Sequence, residues 1–155
     1  MQERIEFRLD DFCGEPTRKL IERHLQGMYE SSPAESVHAF TVDNLRHPSV
    51  TFWSVWVGGE IAGCGALKRL DDSRGEIKSM RVADEFLGRG LGRAILQYIL
   101  AEARRIGLSS VWLETGSTDP FIPALRLYES AGFIRCGPFE GYTEDPFSVF
   151  MTLKL

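Results

Sequence analysis

The chain has 155 residues, of which 43% are hydrophobic, 11% aromatic and 26% charged, and its formal net charge at pH 7 is −4. This size and composition are typical of one globular domain, and they exclude a disordered tail protein, a collagen-like chain and a disulfide-stabilised miniprotein. The acidic balance argues against a broad nucleic-acid-binding face, because such binding neutralises many phosphates at once. We therefore predict a single domain over residues 1–155 and no nucleic-acid partner.

The cysteines indicate neither a disulfide framework nor a zinc site. Cys13, Cys64 and Cys136 are odd in number, far apart and without metal-ligand spacing, so we expect reduced thiols and no metal. Residues 1–8 are charged and alternating, unlike a signal peptide, and no stretch approaches the ~20 apolar residues that span a bilayer. These features predict a soluble, cytoplasmic protein with no membrane partner.

The first third of the chain predicts one strand and one long helix. Apolar and polar residues alternate over Arg4–Leu9, which is typical of a strand. Pro16 then opens a helical pattern whose apolar face continues through Met28. Residues Glu30–Pro48 are irregular, apart from a short helix predicted at Val42–Arg46.

The middle of the chain predicts a run of antiparallel strands. Val50–Val57 is rich in β-branched and aromatic residues, and the turn Gly58-Gly59 joins it to a second strand at Glu60–Leu70. Asp71–Gly75 has the composition of another turn, after which Glu76–Val82 is predicted to be a strand.

The last part of the chain alternates helices and strands. A helix is predicted from Gly90 to Ile106 and ends at Gly107. The later elements are a strand at Val111–Thr115, a helix at Pro123–Ser130, and strands at Phe133–Cys136 and Ser148–Leu153. Hairpin strands followed by a β-α-β unit predict an α/β fold in which helices cover a mixed sheet.

The sharpest local signal is a glycine–arginine turn between a strand and a helix. Residues 87–92 read Leu-Gly-Arg-Gly-Leu-Gly and lead directly into the helix from Gly90. Four unpaired N–H groups and the positive end of the helix dipole emerge at such a terminus, and glycines let a phosphate approach the backbone closely. Arg89 and Arg93 oppose the dipole by about 0.3–1 kcal/mol each unless an anion binds there. The segment therefore predicts a site for one compact polyphosphate.

Two common phosphate-binding motifs do not fit this turn. A Walker P-loop needs a lysine, and the turn contains none. The Rossmann spacing would place its third glycine at Arg93 or Ile95. A nucleotide-binding α/β protein and a merely solvated turn, with both arginines pointing away, stay as alternatives.

The turn resembles the acyl-CoA-binding motif [QR]-x-x-G-x-[GA] of the GCN5-related N-acetyltransferase (GNAT) superfamily, although Leu87 replaces the leading Gln or Arg. About 40 residues later, Ala124–Phe133 resembles the family's A-x-x-L-Y-x-x-x-G-F, with Phe121 where the family often has Asn. The resemblance covers essentially the whole chain and extends to stand-alone bacterial N-acetyltransferases. It implies a mostly antiparallel sheet of about seven strands with a splayed parallel pair, flanked by about four helices.

The resemblance also implies acetyl-CoA as cosubstrate. The backbone of the strand end would pair with the pantetheine amides, and the turn would hold the pyrophosphate, with Arg81 or Arg93 as sources of the charge missing at Leu87. The expected acetyl-CoA-binding residues are Met80, Arg81, Val82, Leu87, Gly88, Arg89, Gly90, Leu91, Gly92, Arg93 and Tyr128.

Direct acetyl transfer to an amine needs a base, a polarised carbonyl and a proton for the leaving thiolate. By resemblance, Tyr128 is the acid, and the backbone N–H of Val82 polarises the carbonyl. Glu76, 14 residues before Gly90, is the first candidate for the base, and Glu114 is the second. A solvent-facing Glu76 and a purely structural Tyr128 are the alternatives.

The acceptor is expected to be the primary amine of a small molecule or peptide. Tyr29, Glu35 and His38 lie on the segment where the family commonly builds acceptor pockets, and residues 138–146 either close over the acceptor or connect two strands. A non-catalytic acyl-CoA-binding module with the same fold is the alternative to an enzyme. The oligomeric state stays open, with a homodimer among the states that the resemblance allows.

Overall fold

The computed structural model describes residues 4–155, and Met1–Glu3 lie outside the described residues. Residues 4–155 form seven strands and four α-helices. The strands are β1 (Ile5–Leu9), β2 (Val50–Val57), β3 (Glu60–Arg69), β4 (Arg74–Val82), β5 (Ser110–Gly116), β6 (Ile134–Cys136) and β7 (Ser148–Lys154). The helices are α1 (Glu15–Ser31), α2 (Val42–Leu45), α3 (Leu91–Arg105) and α4 (Ile122–Ser130). The predicted α/β class and mixed sheet are confirmed.

The strands form one sheet in the order β1-β2-β3-β4-β5-β7-β6, and β4 and β5 are its parallel pair. These two strands pair only at their first residues, Arg74–Glu76 of β4 with Ser110–Trp112 of β5. Beyond Trp112, β5 continues to pair with β7 on its other side. The carboxyl-terminal halves of β4 and β5 therefore separate and open a cleft in the middle of the sheet, as the predicted splayed pair requires.

Alternation along β3 decides which helix covers which face. Ala62, Cys64 and Ala66 face α1 and form a core cluster with its Leu20 and Ile21. The intervening glycines face α3, and a Cβ at Gly65 would lie 2.7 Å from Ile99 Cδ1. The small residue lets α3 approach the sheet closely, so α1 and α3 lie on opposite faces.

The predicted element boundaries hold to within one or two residues, with two corrections. β4 begins at Arg74 rather than Glu76, because the Asp71 carboxylate accepts hydrogen bonds from the backbone N–H groups of Ser73 (2.9 Å) and Arg74 (2.8 Å) and closes the turn early. α1 runs through Ser31, so Tyr29 lies in its last turn and not in the irregular segment. Among residues 4–155, no helix combines the length and apolar character needed to cross a membrane.

Candidate active site

A cavity of about 570 Å³ fills the cleft where β4 and β5 separate. Its walls come from the second half of β4 (Ile77–Val82), the end of β5 (Leu113–Thr115), the glycine-rich turn before α3, the first half of α4 and one face of α1. The structure therefore joins the two sequence motifs at one site, although about 40 residues separate them along the chain.

The glycine-rich turn has the backbone conformation that its sequence predicts. Gly88 and Gly90 both have φ of +78°, a left-handed conformation that favours glycine, and Gly90 is the N-cap of α3. A Cβ at either glycine would meet nothing within 4 Å, so the backbone conformation and not crowding calls for glycine here. The first turn of α3 contains no acidic residue. Its N–H groups and dipole are therefore left for an external anion.

The other turn residues divide into two groups. Leu87 and Leu91 line the cavity together with Gly88, Gly90 and Gly92. The two arginines are not among the described residues that line it. Arg89 lies 5.1 Å from the centre of the Phe86 ring, and Arg93 Nη2 donates to Ser130 Oγ at 3.3 Å.

Phe121, which replaces the family's frequent Asn, covers Gly116 and lines the cavity. A Cβ on Gly116 would lie 2.1 Å from a carbon of the Phe121 ring, so only glycine leaves room for the ring. The Phe121 position therefore presents an apolar ring to the cavity and no side-chain hydrogen-bond donor.

A β-bulge interrupts β4 inside the cavity. Cys64 of β3 pairs with Arg81 and Ala66 pairs with Lys78, so Ser79 and Met80 together face one residue of β3. Ser79 has φ of +54°, a conformation that costs a non-glycine residue about 1–2 kcal/mol. A bulge takes backbone groups out of the regular ladder, so it supplies polar backbone groups beside the cavity.

Tyr128 enters the cavity from α4. The residue is 7% exposed and lines the cavity, and burial raises the pKa of its hydroxyl to about 12. Among residues 4–155, the hydroxyl has no hydrogen-bond partner in the structure. The phenol is therefore protonated at neutral pH and has a proton to donate to a bound molecule.

Glu76 is buried, with 3% of its surface exposed, and it is not among the described residues that line the cavity. Its Oε2 accepts a hydrogen bond from the Tyr142 hydroxyl at 2.6 Å and lies 3.2 Å from Lys78 Nζ. Lys78 Nζ also donates to the Tyr142 hydroxyl at 2.7 Å and lies 4.2 Å from the centre of the Phe40 ring. The carboxylate thus anchors residues 138–146 to the sheet through Tyr142.

Glu114, the second candidate for the base, lines the cavity from β5. Burial raises its pKa to about 7, the hydroxyl of Ser148 and the charge of Lys78 oppose the rise, and Glu76 adds to it. A carboxyl group with this pKa gains and loses a proton at neutral pH, which a general base requires.

Replacing Glu114 with Gln should stabilise the protein at high pH. Between about pH 4.5 and 7 the folded protein keeps a proton on Glu114 that the unfolded chain has released, so the free energy of unfolding falls as pH rises through this range. The glutamine variant has no carboxyl group at position 114, so its free energy of unfolding does not fall for this reason. We expect its advantage over the original protein to grow by about 1–3 kcal/mol between pH 5 and pH 8 in urea unfolding. The same substitution at exposed Glu129 is the control, and an equal difference at both pH values would contradict the prediction.

The three residues predicted for the acceptor lie in different environments. His38 lines the cavity and contacts Tyr142 edge-to-face, with ring centres 5.1 Å apart. Tyr29 is 57% exposed on α1, and Glu35 is exposed on the 3₁₀ turn Ala34–Ser36. Neither is among the described residues that line the cavity. The turn is held by Ser36, whose hydroxyl donates to Asp145 at 2.5 Å.

Sequence reasoning missed several polar residues of the cavity, three of which have unpaired atoms. Arg23, His24 and Ser79 line the cavity, and Nη1, Nδ1 and Oγ of these side chains are buried without a hydrogen-bond partner. The available signal was the polar His24 on the apolar face of α1. Among residues 4–155, no group of three or more His, Cys, Asp or Glu side chains is arranged to hold a metal ion.

Residues 16–133 match the model of the acetyltransferase (GNAT) family. YsnE of Bacillus subtilis (strain 168), an uncharacterized N-acetyltransferase, is 50% identical over 97% of this chain and all of its own length. YedL of Escherichia coli (strain K12), also an uncharacterized N-acetyltransferase, is 47% identical over 94% of this chain and 92% of its own length.

Solved structures show the same fold. An acyl-CoA N-acyltransferase from Klebsiella pneumoniae has a TM-score of 0.78 at 25% identity, covering 99% of this chain and 98% of its own. A GNAT acetyltransferase from Elizabethkingia anophelis, solved with acetyl-CoA bound, has a TM-score of 0.70 at 20% identity, covering 97% and 98%. The family match, the relatives and the splayed sheet agree, and the chain belongs to the GNAT family of acetyltransferases.

Proposed function

We propose that the chain, as a single domain, transfers the acetyl group of acetyl-CoA directly to a primary amine of a small molecule or peptide. The observation that carries this proposal is the joint placement of Glu114, Tyr128 and the glycine-rich turn around one cavity. A base that titrates near pH 7, a buried phenol and an anion-binding backbone are the parts that direct transfer needs.

The turn supports acetyl-CoA as the cosubstrate. The N-terminus of α3 and the left-handed Gly88 and Gly90 would bind the pyrophosphate through backbone N–H groups, which do not depend on the side chain missing at Leu87. The end of β4, at Met80–Val82, lines the cavity and would pair with the pantetheine amides. Backbone N–H groups of β4, at the bulge or at Val82, would polarise the thioester carbonyl.

The proposed chemistry uses one residue on each side of the acetyl group. The Glu114 carboxylate takes a proton from the acceptor ammonium, and the neutral amine attacks the carbonyl carbon. As the C–S bond breaks, Tyr128 protonates the leaving sulfur and regains a proton from the nitrogen that becomes the amide. The proton on Glu114 then returns to solvent. The products are an N-acetylated amine and free CoA thiol.

We assign the base to Glu114 and a positioning role to Glu76. The Oε2 atom of Glu76 is already shared by Tyr142 and Lys78, and the residue is 3% exposed, so an acceptor ammonium has poor access to it. Glu114 belongs to the cavity wall. Glu76 instead holds Lys78 and residues 138–146 in place.

A thiol-release assay over a library of amines tests the proposed reaction. With acetyl-CoA present, at least one amine should release CoA thiol, and mass spectrometry should detect the acetylated product. Tyr128→Phe should lower kcat by about 10²–10⁴-fold with little change in CoA binding, since it removes only the proton donor. Tyr98→Phe is the matched control, because Tyr98 lies on α3 and stacks on Phe7, with ring centres 4.0 Å apart. Normal turnover by Tyr128→Phe would contradict the role of Tyr128 as the acid. If none of the amines in the library causes release of CoA thiol, the proposed reaction is contradicted.

A further inference from the structure

Two arginines from distant parts of the chain converge on the α1 side of the cavity. A Cβ at Gly27 would lie 2.8 Å from Arg81 Nη1 and 3.1 Å from Arg23 Nη1, so both guanidinium groups lie over this glycine. Both also approach Asp84, with Arg23 Nε 3.0 Å from Oδ2 and Arg81 Nη2 3.8 Å from Oδ1. The single carboxylate of Asp84 therefore lies near both guanidinium groups, and both arginines line the same cavity.

The hydrogen bonds of this cluster are incomplete. Arg23 Nη1 is buried without a partner, as is Nδ1 of the adjacent His24, which is 9% exposed. Burial and the charge of Arg81 lower the pKa of His24 to about 4, so its ring is neutral at physiological pH. Glu30, at the end of α1, also lines the cavity and its charge acts on Arg81, but its Oε1 already accepts a hydrogen bond from Gln26 at 3.0 Å. Buried polar atoms normally find partners, and Arg23 Nη1 can only donate, so this unpaired atom indicates a missing ligand with acceptor oxygens.

The arginine cluster and the proposed phosphate site are carried by different elements. Arg81 pairs with Cys64, whose side chain belongs to the core cluster under α1. Met80, the neighbour of Arg81 on β4, packs in the cluster that contains the middle of α3. The two arginines thus line the cavity from α1 and β4, whereas the phosphates are proposed to bind at the turn before α3. Asp84, which contacts both arginines, lies four residues before Gly88, and both sites border the same cavity.

We propose that Arg23 and Arg81, with His24, bind a carboxylate of the acceptor, so that the acceptor carries both a primary amine and a carboxylate. Guanidinium groups match a carboxylate with two parallel hydrogen bonds, and partial burial strengthens such pairs. The inference rests on the proposed acetyl transfer, in which the Glu114 carboxylate takes a proton from the acceptor ammonium. It narrows the acceptor from any primary amine to an amino acid or a similar zwitterion.

Matched substrate pairs test this proposal. The probes are α-, β- and γ-amino acids and their carboxamides, which keep the amine and lose the negative charge. We expect the original protein to prefer at least one acid over its amide by about 10–100-fold in kcat/KM, in line with the value of charge-assisted hydrogen bonds. Arg23→Gln and Arg81→Gln should both reduce this preference to near unity. Arg23 is not among the residues expected to bind acetyl-CoA, so Arg23→Gln should change the Kd for CoA less than about threefold.

Gly27→Ala provides a second variant that should fold normally. Its Cβ would displace only the flexible ends of the two arginines, and alanine suits a helix better than glycine. We expect it to weaken the preference for the acid without weakening CoA binding. Gly14→Ala, at the start of α1, is the control, because the nearest atom to its Cβ is Pro16 Cδ at an ordinary 3.8 Å.

Three results would overturn the proposal. The first is equal use of acids and amides by the original protein. The second is weaker CoA binding in the arginine variants with the preference intact, which would assign the pair to a cosubstrate phosphate. The third concerns the case in which no amine is acetylated. Calorimetric titration of the same acids and amides into the CoA-bound protein then tests the proposed carboxylate subsite independently of the reaction. Binding of an acid but not its amide would support the subsite even though the proposed reaction had failed, and binding of neither would overturn it.

Discussion

Replacing Gly90 with Glu should abolish the stabilisation of this protein by acetyl-CoA. A ligand at one hundred times its Kd stabilises a folded protein by about 2.7 kcal/mol, which appears as a rise in Tm. The glutamate adds a side chain and a negative charge at the N-cap of α3, where the phosphates are proposed to bind, and φ of +78° already disfavours any side chain there. We expect the Tm rise at millimolar acetyl-CoA to disappear.

Gly107→Glu is the matched control for this experiment. Gly107 follows the other end of α3 and has φ of +86°, and a Cβ added there would also meet no atom within 4 Å. Both variants thus carry a similar conformational cost, but only Gly90→Glu alters the proposed phosphate site. A normal acetyl-CoA shift in Gly90→Glu, or an equal loss in Gly107→Glu, would refute the assignment of the turn.

Replacing Glu114 with Gln should lower kcat by about 10²–10⁴-fold, the usual contribution of a general base. In the original protein, kcat should rise with pH through about 7, because the carboxyl group must lose its proton before it can accept one from the ammonium group. The glutamine variant should lack this rise. The measurement is the pH profile of kcat, with saturating acetyl-CoA, from pH 5.5 to pH 9.

Glu76→Gln distinguishes the two carboxylates. It removes the charge that faces buried Lys78, and breaking a buried ion pair costs about 3–5 kcal/mol, so we expect a clear loss of stability. The fraction that stays folded should keep the rise of kcat through pH 7. If instead the rise disappears in Glu76→Gln and persists in Glu114→Gln, the base is Glu76.

Local features of the chain were predictable because they depend on neighbouring residues. The glycine turn Gly58-Gly59, the strands with β-branched residues and the left-handed glycines before α3 all follow from backbone preferences of short segments. The start of β4 was predicted two residues late, because the Asp71 carboxylate accepts hydrogen bonds from the backbone of Ser73 and Arg74 and shortens a turn whose composition indicated a longer one.

The arrangement of the arginines at the candidate site could not be predicted from neighbouring residues. The sequence indicated an acidic protein, with a net charge of −4, and a small cationic site formed by Arg81, Arg89 and Arg93 at the glycine–arginine turn. The structure places Arg89 and Arg93 outside the described cavity wall and brings Arg23 and Arg81 into it. No spacing rule relates those two arginines, since 58 positions separate them and they meet only because α1 packs on β4.

By itself, the sequence determined the order of the elements, the glycine-rich turn and the helix that carries Tyr128, because helix periodicity, strand alternation and left-handed glycines are properties of local segments. Only the tertiary structure decided the environment of each carboxylate. Glu76 is buried against Tyr142, 66 positions away, whereas Glu114 lies in the cleft between diverging strands. Burial, access and pKa depend on which distant residues surround a side chain, and these neighbours are determined by the packing of the whole sheet and its helices.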